Sequence, residues 1–332
     1  MTRALITGAT GSLGRATALR LAEAGWTVTG VGRNAEAGRR LEAAGIAFRR
    51  IDIGTQPEEM AEACAGQDYV VHCAALSSPW GRYRDFEKAN VAGTAHVVAG
   101  CLRHGVRRLV HVSTPSVYFD YRDRLNVKET AALPQRPVNA YAATKLIAER
   151  IVLNATSRGL DAVILRPRAI FGPEDGSLFP RLMRVNERRG IPLIGGGQAL
   201  LDLTYADNVV DALEAACLAP AAAAGQIFNI SNGEPVPLID LLRRLFALLE
   251  QPLRTRAVPL RAALAAGSLM ERAYRLLPFL GAEPPFTRYT VALLAYSQTL
   301  DISAARRTLG YEPRVSIDEG LQRFAAWWRE SR

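Results

Sequence analysis

The chain has 332 residues, 49% hydrophobic and 22% charged, which supports a packed core and excludes bulk disorder. Lys and Arg outnumber Asp and Glu by 41 to 32, a formal net charge of +9. The Arg pairs are scattered (Arg39-Arg40, Arg107-Arg108, Arg188-Arg189, Arg306-Arg307), so the charge points to an anionic ligand and a solvated surface, with no nucleic-acid partner expected.

The first half alternates short β-branched runs with helical patterns. Strands are read at Arg3–Thr7, Trp26–Val31, Ile46–Ile51, Tyr69–Cys73, Leu109–Ser113 and Ala162–Leu165. Helices are read at Leu13–Ala24, Asp85–His104 and Asn139–Arg158. This alternation predicts an α/β fold, a doubly wound parallel sheet covered on both faces. Past Arg166, Pro and Gly become frequent, as in Gly172-Pro173, Gly176, Pro180 and Gly195-Gly196-Gly197. Leu238–Leu249 reads as an apolar helix, and Ser316-Ile317-Asp318-Glu319 has the capping-box spacing that opens a last helix through Trp328.

The cysteines (Cys64, Cys73, Cys101, Cys217) form no CxxC pair, so neither a disulfide scaffold nor a zinc site is expected. His72, His96, His104 and His111 do not cluster with acidic residues at ligand spacing, so no metal site is read. The N-terminus lacks the apolar core of a signal peptide. The longest uncharged stretch, Ala215–Gly233, is Ala-rich and broken by Pro220 and Gly225, a poor membrane span. A cytoplasmic location follows as the expectation, with peripheral membrane contact left open.

The strand Arg3–Thr7 runs into Gly8-Ala9-Thr10-Gly11-Ser12-Leu13-Gly14 and then a helix. Gly at this spacing permits a tight turn, close approach of backbone to pyrophosphate, and close helix packing. The free N–H groups of the helix start favour phosphate. The loop thus predicts a Rossmann-type dinucleotide site. An NAD site usually has Asp or Glu after the second strand; here Arg33 stands there. A cation suits the 2′-phosphate of NADP, with Arg39 or Arg40 as helpers. NADP(H) is therefore the preferred cofactor, although Arg also tolerates NAD(H). Asp52 and Ile53, after the third strand, are candidates to face the adenine.

Tyr141 and Lys145 are four apart on a predicted helix, hence on one face. A neighbouring ammonium favours phenolate and lowers the Tyr pKa from about 10, which fits Tyr141 for acid–base work on an alcohol–ketone pair. Ser113-Thr114, at the end of the fifth strand, can hold the substrate oxygen.

These motifs resemble the extended short-chain dehydrogenases/reductases over nearly the whole length: GxxGxxG at Gly8–Gly14, His72-Cys73-Ala74-Ala75, Asn90-Val91-Ala92-Gly93-Thr94, Ser113 to Tyr118, YxxxK, and Arg166-Pro167 to Gly172-Pro173. The resemblance implies Thr114 as the catalytic hydroxyl, Tyr141 as acid/base, and Lys145 as holder of the nicotinamide ribose. It implies Ala74, Ala75, Asn90 and Ser113 around the cofactor, and Pro167 beside the nicotinamide carboxamide. Thr204 to Val210, Phe228 to Pro235 and Leu309 to Pro313 are similar to the 3β-hydroxysteroid and sterol-4-carboxylate dehydrogenase branch, and within it to the bacterial 2-alkyl-3-oxoalkanoate reductases. The implied substrate is apolar, with a 3-keto or 3-hydroxy group. Substrate contacts are expected at Trp80, in the loop after Tyr69–Cys73, and at Thr114, Arg168 and Tyr205. Relatives pair through two helices per subunit, so a homodimer through Asp85–His104 and Asn139–Arg158 is implied.

The expected organisation is a Rossmann NAD(P)-binding domain over residues 1–166 and a smaller, partly interleaved substrate lobe over 167–332, with segments around 202–231 returning to the first. Val258–Pro285, with Leu260, Leu264, Leu269, Met270, Tyr274, Leu276, Leu277 and Phe279 among Arg261, Arg272 and Arg275, reads as a lid, a membrane-contact helix or plain packing. The alternative function is a nucleotide-sugar epimerase or dehydratase with retained NAD. Against dehydration, Pro115-Ser116 stands where sugar dehydratases carry an acidic pair. A cofactor-sensing binding protein is disfavoured because both Tyr141 and Lys145 are present.

Overall fold

The computed structural model describes residues 1–173, 178–277 and 283–331. Its centre is a seven-stranded sheet built from β1 (Arg3–Thr7), β2 (Thr27–Gly32), β3 (Ala47–Arg50), β4 (Tyr69–His72), β5 (Arg108–Val112), β6 (Ala162–Pro167) and β7 (Ile227–Ile230). The order is β7-β6-β5-β4-β1-β2-β3, and each neighbouring pair is parallel. The six predicted strands are present, displaced by at most a residue or two at their ends.

The inner strands β1, β4, β5 and β6 are buried on both sides because both faces are covered, whereas the edge strand β3 is largely exposed. Along β1, Ala4 and Ile6 join one core cluster and Leu5 the other, following the two-residue period of a strand. The first cluster packs under the helices Ser12–Glu23 and Ala206–Leu218. The second packs under Pro57–Ala63, Gly93–Arg103 and Ala140–Thr156. In the first half of the chain, two short helices escaped the sequence reading. Ala35–Ala43 is capped by Asn34, whose Oδ1 accepts from the N–H groups of Glu36 (3.0 Å) and Ala37 (3.2 Å). Pro57–Ala63 starts on proline, which has no N–H to leave unpaired there. The predicted helix Asp85–His104 is interrupted: Tyr83–Phe86 passes through a π-turn at Glu87–Ala92 before Gly93–Arg103.

The strand order reverses at β1, which pairs with β2 on one side and β4 on the other. The loops leaving β1 and β4 therefore diverge and open a crevice at the carboxyl ends of the strands. The remaining chain builds a lobe around Phe171, Phe179, Leu203, Tyr205, Leu242, Leu245 and Phe324. The halves interleave in both directions. β7 enters the large sheet from the second half, while Arg124–Val127 of the first half pairs with Gln298–Leu300 in a small sheet of the second. The last helix, Ile317–Glu330, is capped by Ser316 Oγ, which accepts from Glu319 N–H at 3.2 Å. The reciprocal half of the box is replaced by a Glu319–Arg323 ion pair.

Within Val258–Pro285, the helix Leu260–Leu276 turns Ala263 and Gly267 inward. A Cβ at Gly267 would lie 2.8 Å from Arg288 Cα, so this face packs tightly on the helix Arg288–Leu293. Its other face leaves Leu269 69% and Leu276 79% exposed. Phe279 and Gly176 lie outside the described residues.

Candidate active site

The loop after β1 is shaped by its glycines. Gly8 has φ +71°, and a Cβ there would stand 2.7 Å from Ala74 N. A Cβ at Gly14 would collide with the Gly8 carbonyl oxygen, whereas one at Gly11 would meet only that oxygen, at 3.4 Å. The inner side of the loop is thus closed and its outer side open. Thr10 and the N-cap Gly11 lead straight into the helix that Ser12 and Leu13 open, whose first N–H groups have no side-chain cap. Gly32 makes room for Thr10: a Cβ there would sit 2.5 Å from Thr10 Oγ1. This cradle fits a dinucleotide pyrophosphate.

At the ends of β2 and β3, Arg33, Arg50, Asp52 and Gln56 line an open pocket. Arg50 was not anticipated; its Nε donates to the Arg33 carbonyl at 3.2 Å. Arg40, expected as a helper, is paired with Glu36 at 2.9 Å. Asp52 is 3.3 Å from Lys88 Nζ and accepts from Gly54 N–H. Burial pushes its carboxyl up, but these partners outweigh it and hold it below the ordinary value. Ile53 is buried, and a Cβ on Gly93 would strike its side chain at 2.8 Å; this part of the loop is packing.

Under the crevice lies a buried polar layer. Thr7 Oγ1 is 2.7 Å from His72 Nδ1, and His72 Nε2 is 3.0 Å from Thr94 Oγ1. Thr94 donates to the Asn90 carbonyl at 2.6 Å. Asn90 itself bolts the loop after β4 to the helix of Tyr141. Its Oδ1 accepts from Leu76 N–H (2.7 Å) and its Nδ2 donates to Thr144 Oγ1 (3.0 Å). The π-turn aims Asn90 inward and so gives that interruption a purpose. Ala74 and Ala75 follow on the same loop, and Pro167 closes β6 beside Ile230.

Lys145 is 1% exposed. Its Nζ donates to the Val112 carbonyl at 2.6 Å and lies 3.1 Å from His111 Nε2. Burial pulls its pKa down to about 8, and burial with the neighbouring ammonium drives His72 down to about 3. Both histidines are therefore neutral wall residues, and His111 fixes the ammonium's direction. Two of the three Lys donors are engaged, and the third is available to a ribose hydroxyl.

Tyr141 is half-buried on Ala140–Thr156, with the Thr114 hydroxyl beside its phenol. The expected lowering of its pKa by Lys145 is not met. Burial pushes the phenol up to about 12, and the group that pulls it down is Thr114. The reason is orientation: the ammonium faces Val112 and His111. Thr114 Oγ1 is 3.0 Å from Ser116 Oγ, which is 2.8 Å from the hydroxyl of Tyr289. Tyr289, absent from the sequence reading, thus joins the constellation from the second lobe. No local motif marks it; only the fold brings it there. The Ser113 hydroxyl turns the other way and donates to Glu149 at 2.5 Å, inside a buried network with Arg166 and Tyr118. It supports the strand end rather than facing the crevice.

Of the expected substrate contacts, Thr114 and Arg168 lie near this centre. Trp80 carries the Arg275 guanidinium over its ring at 5.3 Å, which ties its loop to the helix Leu260–Leu276. Tyr205 is a correction: it is 2% exposed in the lobe core, edge-on to Phe171 at 5.5 Å, with Arg323 over its ring. Its phenol meets Arg323 and not the crevice.

The profile of the NAD dependent epimerase/dehydratase family matches residues 4–231. The chain belongs to this family. It is 39% identical to the 2-alkyl-3-oxoalkanoate reductase of Stenotrophomonas maltophilia over 97% of this chain and 98% of that protein. It is 36% identical to the Saccharomyces cerevisiae sterol-4-alpha-carboxylate 3-dehydrogenase, decarboxylating, over 86% of this chain and 84% of that one. The UDP-glucuronic acid 4-epimerase of Bacillus cereus, solved with NAD, superposes with a TM-score of 0.78 at 21% identity over 99% of each chain, a likeness of fold. The chain is thus an NAD-type oxidoreductase acting on the CH–OH group, as its motifs led us to expect. Among the described residues, no helix is long and apolar enough to cross a membrane.

Proposed function

We propose that the chain interconverts a ketone and a secondary alcohol on an apolar 3-oxo or 3-hydroxy acid, of the 2-alkyl-3-oxoalkanoate or sterol-like kind, preferring NADP(H) over NAD(H). The observation that carries the reading is the Thr114–Tyr141 hydroxyl pair at the end of β5, one helical turn from the buried Lys145. When bound, the cofactor supplies or accepts the hydride. The Gly8–Gly14 loop and the helix start hold its pyrophosphate, Arg33 and Arg50 face the 2′-phosphate, and Lys145 holds a ribose hydroxyl. Tyr141 gives its proton to the carbonyl oxygen as that oxygen gains negative charge, and Thr114 hydrogen-bonds the same oxygen.

In this reading residues 1–166, with the returning segments near 202–231, are the cofactor half, and 167–332 the substrate half. The exposed apolar face of Leu260–Leu276 suits a long hydrocarbon substrate or contact with a membrane surface. The protein works in the cytoplasm as a homodimer paired through the helices ending at Arg103 and Thr156. The test is reduced-cofactor consumption with a panel of long-chain 2-alkyl-3-oxo acids and 3-ketosteroids, NADPH against NADH. Turnover with NADPH supports the reading. Purified protein that retains NAD tightly and turns over nothing favours the epimerase alternative.

A further inference from the structure

Arg168 is 6% exposed, and among the described residues no carboxylate lies within ion-pair distance of it. Its side chain makes one hydrogen bond there, from Nε to the Gln298 carbonyl at 3.2 Å. Its backbone is pinned on both sides. Arg168 N–H donates to the Ile230 carbonyl at 3.0 Å, and Thr204 Oγ1 donates to the Arg168 carbonyl at 2.6 Å. The next residue, Ala169, has φ +41°, a left-handed conformation that costs a non-glycine residue energy. A strained, pinned backbone thus holds a cation in a place where an unpaired charge is expensive.

The place is next to the reacting centre. Gln298, which carries Arg168 on its carbonyl, donates from Nε2 to the Pro115 carbonyl at 3.1 Å, one residue from Thr114. Burial lowers the guanidinium's pKa, and Tyr289, joined to Thr114 through Ser116, and Asp202 both lie close enough to push it back up. Two further polar atoms nearby, Asp202 Oδ1 and Gln298 Oε1, are buried without a hydrogen-bond partner. Asp202 Oδ2 is engaged by Leu300 N–H at 2.8 Å. Unmet polar atoms around a cation with one hydrogen bond and no ion pair among the described residues mark a wall that a polar ligand completes.

We propose that Arg168 is the subsite for the substrate's carboxylate, gripping it through the guanidinium edge while Thr114 and Tyr141 hold the ketone oxygen β to it. The inference rests on the function proposed above and adds the feature by which the acid is recognised. A planar fork suits a carboxylate in two parallel hydrogen bonds. It also fixes which carbon of a long, featureless chain meets the hydride. Asp202 stands beside the subsite: burial pushes its carboxyl above the ordinary range, against the Leu300 N–H, the Ser231 hydroxyl and Arg168, which pull it down.

The test separates this claim from turnover. A 2-alkylalkanoate, which has the carboxylate but no oxygen at the third carbon, and its methyl ester are titrated calorimetrically into the whole protein, with and without NADP+. The wild type binds the acid about thirtyfold or more tighter than the ester. Arg168→Gln brings the ratio near one, and Arg168→Lys, which keeps the charge and loses the fork, keeps part of it. If Arg168→Gln does not fold, the several-fold drop in Arg168→Lys carries the test. A wild-type ratio near one, or a ratio that neither variant changes, overturns the proposal and leaves Arg168 a structural residue that braces the Gln298 carbonyl. A protein that binds the acid through Arg168 yet reduces no 3-oxo acid keeps this subsite and sinks the proposed reaction.

Discussion

The Ser116 hydroxyl lies 2.8 Å from that of Tyr289 and 3.0 Å from that of Thr114, so residues from the two lobes share one hydroxyl chain that reaches Thr114, the neighbour of the Tyr141 phenol. After Tyr141 gives up its proton, each member of the chain can turn its O–H toward the phenolate, and hydrogen bonds in such a series strengthen one another. Tyr289→Phe is expected to lower kcat about tenfold, with the KM for cofactor unchanged. Ser116→Ala does the same, and the double variant is no worse than either single one, because both cut the same chain. Steady-state kinetics on the four proteins reads this.

The buried histidines set the acid limit of stability. His72 falls from 6.5 to about 3 in the fold, so the unfolded chain binds more protons in that window. The stability this neutral His provides is full above pH 6.5 and is lost as pH falls toward 3. The slope is about 1.4 kcal/mol per pH unit for each such group. His111 is depressed likewise, by burial first and then by Lys145. His72→Gln is expected to flatten the fall of unfolding free energy below pH 6.5 in denaturant titrations.

The phosphate loop tolerates no added methyl group on its inner side. Gly14→Ala drives a Cβ into the Gly8 carbonyl, and Gly8→Ala combines φ +71° with a 2.7 Å approach to Ala74 N. Each is expected to cost about 2 kcal/mol or more in thermal or denaturant unfolding and to weaken dinucleotide binding. Gly25→Ala, also at positive φ but with nothing within 4 Å, costs less, about 1 kcal/mol from backbone conformation alone.

Cofactor choice is tested at Arg33 and Arg50. Arg33→Ser is expected to raise the KM for NADPH about tenfold and leave that for NADH within about twofold, and Arg50→Ser to act in the same direction. Equal effects on both cofactors would remove the 2′-phosphate from the account.

The central sheet and the phosphate loop were legible in the sequence because their signals are local. Six apolar runs and one glycine spacing are each complete within a few residues. YxxxK was legible too, as a helical repeat. The electrostatics of the pair was not: spacing places Tyr141 and Lys145 on one face, but the direction of Nζ depends on Val112 and His111, from another strand. Tyr289 and Gln298 reach the site through lobe packing, which leaves no periodic trace. Tyr205 misled for the same reason, since a motif near the site says nothing about which side of the chain its ring takes.

The most direct test of the proposed reaction is consumption of NADPH with a long-chain 2-alkyl-3-oxo acid by the wild type and Tyr141→Phe. The variant keeps the fold and cofactor binding and lacks only the acidic proton. We predict clear turnover by the wild type and a loss of about 10²–10⁴-fold in the variant, with NADPH affinity retained. Undiminished turnover in Tyr141→Phe would contradict the assignment of the proton to this residue.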